Sequence, residues 1–256
     1  RRQAGPAWSP DTSMRALAAQ LRAELIMIST NGETLFLTLG IPVLFLLFFS
    51  AVHVLPTSTK HPVDFLVPGI LALAVMSTAM VALGIGTGFD RGYGVLKRLA
   101  ATPLGRPRLL GAKIISVIGV ELVQVVVLVL VGWALGWSPN GGWSCAGVAV
   151  AVMVLGTVAF GGIGLFLAGS LKALVNLAVV NSLFVVLLLL GGMLIPLAKL
   201  PGWLADVAKV LPAAALADAL HSSLGSGVGV SGEDWLVLAL WAVGAPVLAS
   251  LTFRWE

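Results

Sequence analysis

A chain of 256 residues that is 59% hydrophobic and only 10% charged is not an ordinary soluble domain, in which about 25% of residues are charged. Its formal net charge of +4 has to be read from where the basic residues sit, and its single cysteine, Cys145, excludes a disulfide framework or a cysteine-built zinc site within one chain. Long apolar stretches recur, so the bilayer sets the element lengths, and the expected fold class is an all-α polytopic membrane protein.

The first predicted element precedes any apolar run. In "SMRALAAQLRAELIMIST", Met14, Leu17, Leu21, Leu25 and Ile28 recur every three or four residues, while Arg15, Arg22 and Glu24 avoid that stripe. The pattern predicts an amphipathic helix over 13–31 lying along the membrane interface, ended by Asn31-Gly32. A helix packed on a soluble partner would show the same stripe. No short apolar core with a small-residue cleavage site precedes the first apolar run, so a signal peptide is not expected there.

Six stretches follow that are apolar enough to span a bilayer, at 35–55, 65–89, 109–135, 148–168, 174–195 and 235–253. Pro42 and Pro246 are the expected kink points, and Pro68 lies in the second span. Glu121 lies roughly 18 Å into the third span at about 1.5 Å per residue, with Gln124 on the same face. An ionisable group at that depth either lines a translocation path or holds helices together by hydrogen bonding, and both readings stay open. Asn176 and Asn181 in the fifth span divide the same way, with packing favoured. In the fourth span, Thr157/Gly161 and Gly164/Ala168 are small-xxx-small pairs that allow close helix approach, within or between chains. The segment 197–223 is broken by Pro201 and Pro212 and carries the stripe Leu200, Leu204, Val207 and Leu211. It predicts short helices on the outer leaflet, with Trp203 at the interface.

Lysine and arginine set the orientation. With a cytoplasmic N-terminus, twelve of the fifteen basic residues fall inside, leaving Lys60, Lys199 and Lys209 outside. That asymmetry follows the positive-inside rule, places both termini in the cytoplasm, and removes nucleic acid as a partner. Chemistry-bearing motifs are sparse. The chain has no G-x-x-x-x-G-K-[ST] phosphate loop. Gly227, Gly229 and Gly232 spell G-x-G-x-x-G, but in an outer loop with no strand ahead. Ser231 sits in G-x-S-G, but no histidine follows it on a later span. The three histidines lack ligand spacing, so no metal site is expected, and an enzyme acting alone is the least supported reading.

Between spans two and three lies "DRGYGVLKRLAATPLGRPRLLGAKI". Val95, Leu96, Leu99 and Ala100 can share a helical face away from Arg91, Lys97 and Arg98, and Pro103 ends the run. This predicts a short cytoplasmic amphipathic helix within 90–103, either a docking element or a topology anchor whose basic residues reach anionic lipid.

The segment resembles that between the second and third membrane helices of ABC-2-type exporter permeases, R-x-x-G-x-L-x-R-L-x-x-T-P followed by G/A-K. Arg91, Gly94, Leu96, Arg98, Leu99, Thr102, Pro103 and Lys113 match. "GGMLIPLAKLPGWLADVAKVLP" resembles a second family segment through Gly191, Gly192, Pro196, Leu200, Pro201, Trp203, Leu204 and Pro212. The chain is also similar to actinobacterial drug-resistance permeases of the daunorubicin-exporter type. It departs from the pattern at Gly92, where many relatives are acidic, and at "PAAAL". The resemblance implies a permease subunit in a prokaryotic plasma membrane, paired with a second identical or homologous permease chain and contacting membrane lipid. An ABC ATP-binding subunit would dock on Arg91, Gly94, Leu96, Lys97, Arg98, Leu99, Thr102 and Pro103. ATP and Mg would be bound by that partner and no cofactor by this chain. Glu121, Gln124, Asn176 and Asn181 would border the path, and Gly191, Gly192, Pro196, Pro201, Trp203 and Pro212 an outer gate. The expected cargo is drug-like, amphipathic or lipid-like. The alternatives are a polysaccharide or lipid-linked glycan exporter of the same build, and a carrier centred on Glu121 that uses no ATP.

Overall fold

The computed structural model describes residues 36–52, 62–96, 106–139 and 142–253, with the backbone alone at 37, 106–110 and 112. The expected interfacial helix over 13–31 lies outside the described residues, as do Lys97, Arg98, Leu99, Thr102 and Pro103. The described residues are helical, with no strand among them. Helix α1 is Ile41–Ala51, entered through a π-helical turn at Phe36–Gly40. Helix α2, Pro62–Gly92, contains a second π-helical turn at Ser77–Ala82. Helices α3, Arg106–Ala134, and α4, Gly142–Ser170, are followed by α5, Ala173–Leu190. A 3₁₀ turn at Leu197–Lys199 leads to α6, Gly202–Lys209, and α7, Pro212–Leu220, which widens into a π-helical turn at His221–Ser226. Helix α8 is Gly232–Thr252.

Five of these helices are long and apolar enough to cross a membrane: α2, the Lys113–Ala134 part of α3, α4, α5 and α8. The expected first span is represented by the shorter apolar helix Thr38–Ala51, which ends where Val52 turns extended; 35 and 53–55 lie outside the described residues. Element ends differ from the sequence expectation where glycines sit. Helix α5 stops at Leu190, and the expected remainder of its span is irregular, because Gly192 takes a left-handed φ of +67°. Helix α4 begins six residues before 148, at Gly142. Helix α2 runs on through Asp90 and Arg91 to Gly92, so these residues belong to a membrane helix and the intervening segment turns only at Gly94, φ +71°.

Helix α2 is the centre of the bundle. Its run from Leu66 to Met76 is buried throughout. Lipid tails are as apolar as leucine, so close packing rather than water exclusion must hold such helices together. Glycine supplies the approach. The Cα of Gly164 on α4 would lie 3.0 Å from a Cβ added at Gly84 of α2, and a Cβ at Gly164 would meet the Met80 carbonyl oxygen at 2.7 Å. The helix-breaking Pro246 of α8 is seated over Gly162 of α4, where an added Cβ would meet the proline ring at 2.5 Å. The small-residue stripe of α4 therefore packs within the chain. Helix α7 lies against α2, α4 and α8. Its Ala213, Ala214, Ala215 and Ala217 are all buried, small side chains that let a nine-residue helix enter the core.

Candidate functional site

Three groups of residues are fixed by this packing. The first is at the basic end of the bundle, where α2 and α4 finish and α3 begins. The guanidinium of Arg91, on the last turn of α2, donates to the carbonyls of Gly169 and Leu171, at and just beyond the end of α4. These are among the carbonyls a helix C-terminus leaves without internal partners, and a cation there also complements the helix dipole. One residue earlier, Asp90 accepts from Lys113 of α3 at 2.9 Å, with the lysine side chain only 10% exposed. Two consecutive residues of α2 thus tie its end to two other helices. The chain then turns at Tyr93-Gly94, leaving Tyr93 76% and Val95 40% exposed, while Leu96 is buried in the core. Of the expected docking residues described, Arg91 and Leu96 face into the protein and Gly94 makes the turn. The exposed side chains are Tyr93 and Val95.

The second group lies inside the bundle. Glu121 Oε2 is hydrogen-bonded to the Thr157 hydroxyl of α4, and Thr157 also reaches the carbonyl of Met153 at 2.9 Å. Gln124 receives the Thr78 hydroxyl of α2 at 3.1 Å and donates to the backbone carbonyl of Thr38. Thr78 and Thr38 both lie in π-helical turns, a local widening that recurs at functional positions. One polar layer therefore joins α2, α3, α4 and the turn leading into α1. Asn176 of α5 is buried and donates to the Gly84 carbonyl at 2.9 Å, beside Gly88, which leaves space for its amide. Asn181 is exposed and bonds to the Leu177 carbonyl of its own helix. Three of the four expected path residues therefore join helices within this chain, and Asn181 alone is on its outer surface.

The third group is at the opposite, tryptophan-bearing end. A Cβ at Gly69 of α2 would fall 1.9 Å from the Met193 carbonyl oxygen, and one at Gly191 would fall 2.9 Å from the Ala213 side chain. The Gly191–Met193 turn is thereby pressed against α2 and α7. Pro196 and Pro201 precede the 3₁₀ turn and α6, buried Pro212 opens α7, and Trp203 is 72% exposed. The Trp241 indole donates to the Val210 carbonyl at 3.0 Å, fastening α8 to the joint between α6 and α7.

A cavity of about 550 Å³ opens beside α7, bordered by Asp64, Asp218, Glu233, Asp234, Lys209 and His221. Burial, and then the charge of Asp234, push the Asp218 carboxyl up to about 6. Burial lowers the pKa of His221, against the opposing pull of the Phe65 carbonyl 3.0 Å from its Nε2, and its ring stacks on Phe65. Sequence reasoning missed this cavity, since its carboxylates lie far apart along the chain. Among the described residues no three His, Cys, Asp or Glu side chains stand close enough together to hold a metal ion.

Among curated proteins none matches the chain. The family model for the ABC-2 type transporter matches residues 15–224, which contain the tied end of α2, the polar layer and the turns of the tryptophan end. The chain belongs to the ABC-2 type transporter family and is a multi-pass membrane component of an ABC transporter, a class generally served by an ATP-binding partner.

Proposed function

We propose that the chain is the permease subunit of an ATP-driven exporter whose ATPase is a separate subunit docking at the basic end. The observation that carries this reading is the tied terminus of α2. Asp90 and Arg91 fix it to α3 and α4, so a load applied at the exposed Tyr93–Val95 turn reaches three membrane helices together. Arg91, one of the basic residues that a topology anchor would direct to lipid, is instead engaged inside the bundle. The basic end then faces the cytoplasm, both termini are cytoplasmic, and the membrane is a prokaryotic plasma membrane. A second permease chain, identical or homologous, completes the path. The cargo is drug-like, amphipathic or lipid-like, as in the actinobacterial resistance permeases that the sequence resembles. In this reading Glu121 and Gln124 act as interhelical ties, and their bonds to Thr157, Thr78 and Thr38 weigh against a carrier centred on Glu121 that uses no ATP.

The test is co-purification of the native complex from host membranes, with ATP hydrolysis and substrate efflux measured for wild type, Tyr93→Ala and Val95→Asp. An ATP-binding subunit that co-purifies with wild type and is lost or uncoupled in the variants supports the reading. Transport that continues without any ATPase in the preparation refutes it.

A further inference from the structure

Helices α3 and α4 meet at Glu121 and Thr157 and enclose a cleft from there to the tryptophan end. Val125, Val129 and Trp133 continue the Glu121 stripe along α3, and Met153, Ala149 and Ala146 continue the Thr157 stripe along α4. The cleft holds about 420 Å³. Its head is built by the end of α3. Gly136, at φ +88°, lets the Trp137 amide donate to the Gly132 carbonyl at 2.9 Å and the Gly136 amide to the Trp133 carbonyl at 3.0 Å, a Schellman closure. This folds Trp137 back over Gly132, where an added Cβ would come within 3.3 Å of the indole. Trp137 is only 4% exposed, borders the cleft, and its Nε1 has no hydrogen-bond partner among the described residues. A buried donor left without an acceptor is costly.

We propose that this cleft binds one acyl chain of a diester glycerophospholipid from the adjacent leaflet, with an ester carbonyl accepting the Trp137 indole proton. Three features select that occupant. The cleft is lined almost wholly by apolar side chains, so ordered water would lack the two to four polar partners it needs. Val125 to Trp133 rises about 12 Å, close to the ~15 Å hydrocarbon depth of a single leaflet. A helix from a second copy would bring backbone carbonyls already used internally, whereas a phospholipid brings free ester carbonyls at the depth where tryptophan gathers. The site does not depend on the ATPase partner.

The purified complex, stripped of lipid in detergent, is titrated with phosphatidylcholine carrying brominated acyl chains, and tryptophan quenching is read. A diether analogue with the same chains lacks the carbonyl. Wild type should show a saturable site that prefers the diester about fivefold, the worth of one hydrogen bond. Trp137→Phe should lose that preference, and Ala146→Phe, which fills the cleft, should lose the saturable component. Equal affinity of wild type for both lipids overturns the proposal. So does quenching untouched by Ala146→Phe, or a change of oligomeric state in that variant without lipid binding, which would put a second copy in the cleft. If Ala146→Phe does not fold, the diester preference of wild type against Trp137→Phe decides alone.

Discussion

Helices α2 and α5 are alike in apolar composition and both are long enough to cross a membrane. In α2, 83% of the most apolar stretch is buried, whereas in α5 the share is 17%. Hydropathy reports the solvent a helix tolerates and is blind to whether that solvent is lipid or protein. Small residues separate the two. Helix α2 carries Gly69, Gly84 and Gly88, each set against backbone or an amide of a neighbouring element, while α5 has no glycine and exposes Leu174, Val185 and Leu189. A buried membrane helix is marked by what it omits from its side chains, because backbone contact at 3–4 Å requires the absence of a Cβ.

The harshest way to test that contrast is Gly69→Leu. With the Met193 carbonyl 1.9 Å from the added Cβ, the turn after α5 must leave α2. We expect a loss of at least ~3 kcal/mol or no folded protein, read as detergent-solubilised yield and thermal unfolding. Survival of a wild-type melting temperature would break the assignment of α2 as the packed centre.

Next in size is Arg91→Ala, which deprives the Gly169 and Leu171 carbonyls of a charged donor. It should cost about 1.5–3 kcal/mol and, under the proposed function, retain the bound ATPase while lowering transport per ATP hydrolysed. Unchanged coupling would reduce the tie to a local cap. Removing an interhelical bond in the middle of the bundle should matter less. Gln124→Leu is expected to cost around 1 kcal/mol, since such bonds in lipid average well below their value in vacuum. Thr78→Val, which loses the same bond, should add little to it in the double variant.

The cavity beside α7 adds a pH signature that an all-lipid surface could not give. With Asp218 titrating near 6 in the folded protein, against an ordinary 3.8, the unfolded chain releases that proton first. Its contribution therefore falls as pH rises from about 4 to about 6 and is constant above. His221 acts in the opposite sense, since its lowered pKa makes acid unfavourable below its ordinary 6.5. Thermal unfolding of Asp218→Asn across pH 4 to 7 should lack the first slope and keep the second. Identical profiles for wild type and variant would show that water reaches Asp218 freely. The smallest effect is expected on α5, where Val185→Ala should stay within about 0.5 kcal/mol. A larger loss, with altered oligomeric state, would show that a second permease chain covers this face.

The bilayer-spanning character was readable because an apolar run of about twenty residues has few other physical meanings. The family segments were readable too, since Gly94, Gly191, Gly192 and the prolines act through local backbone conformation. Helix α5 ends before the expected span does, because the apolar Met193-Leu194-Ile195 follow the glycine pair while the left-handed turn at Gly192 stops the helix. Leu96 offered an apolar face to a partner in the sequence, yet the fold turns it inward and presents Tyr93 and Val95.

By itself, then, the sequence determined the medium, the number of apolar runs, the bias of positive charge and the turns that glycine and proline impose. All of these act over a few consecutive residues. Only the tertiary structure decided that Glu121 meets Thr157, that Arg91 closes the end of α4, and that Asp64, Asp218 and Asp234 share one cavity. Most of these partners are separated by tens of residues or more, and their meeting depends on which glycines let which backbones touch.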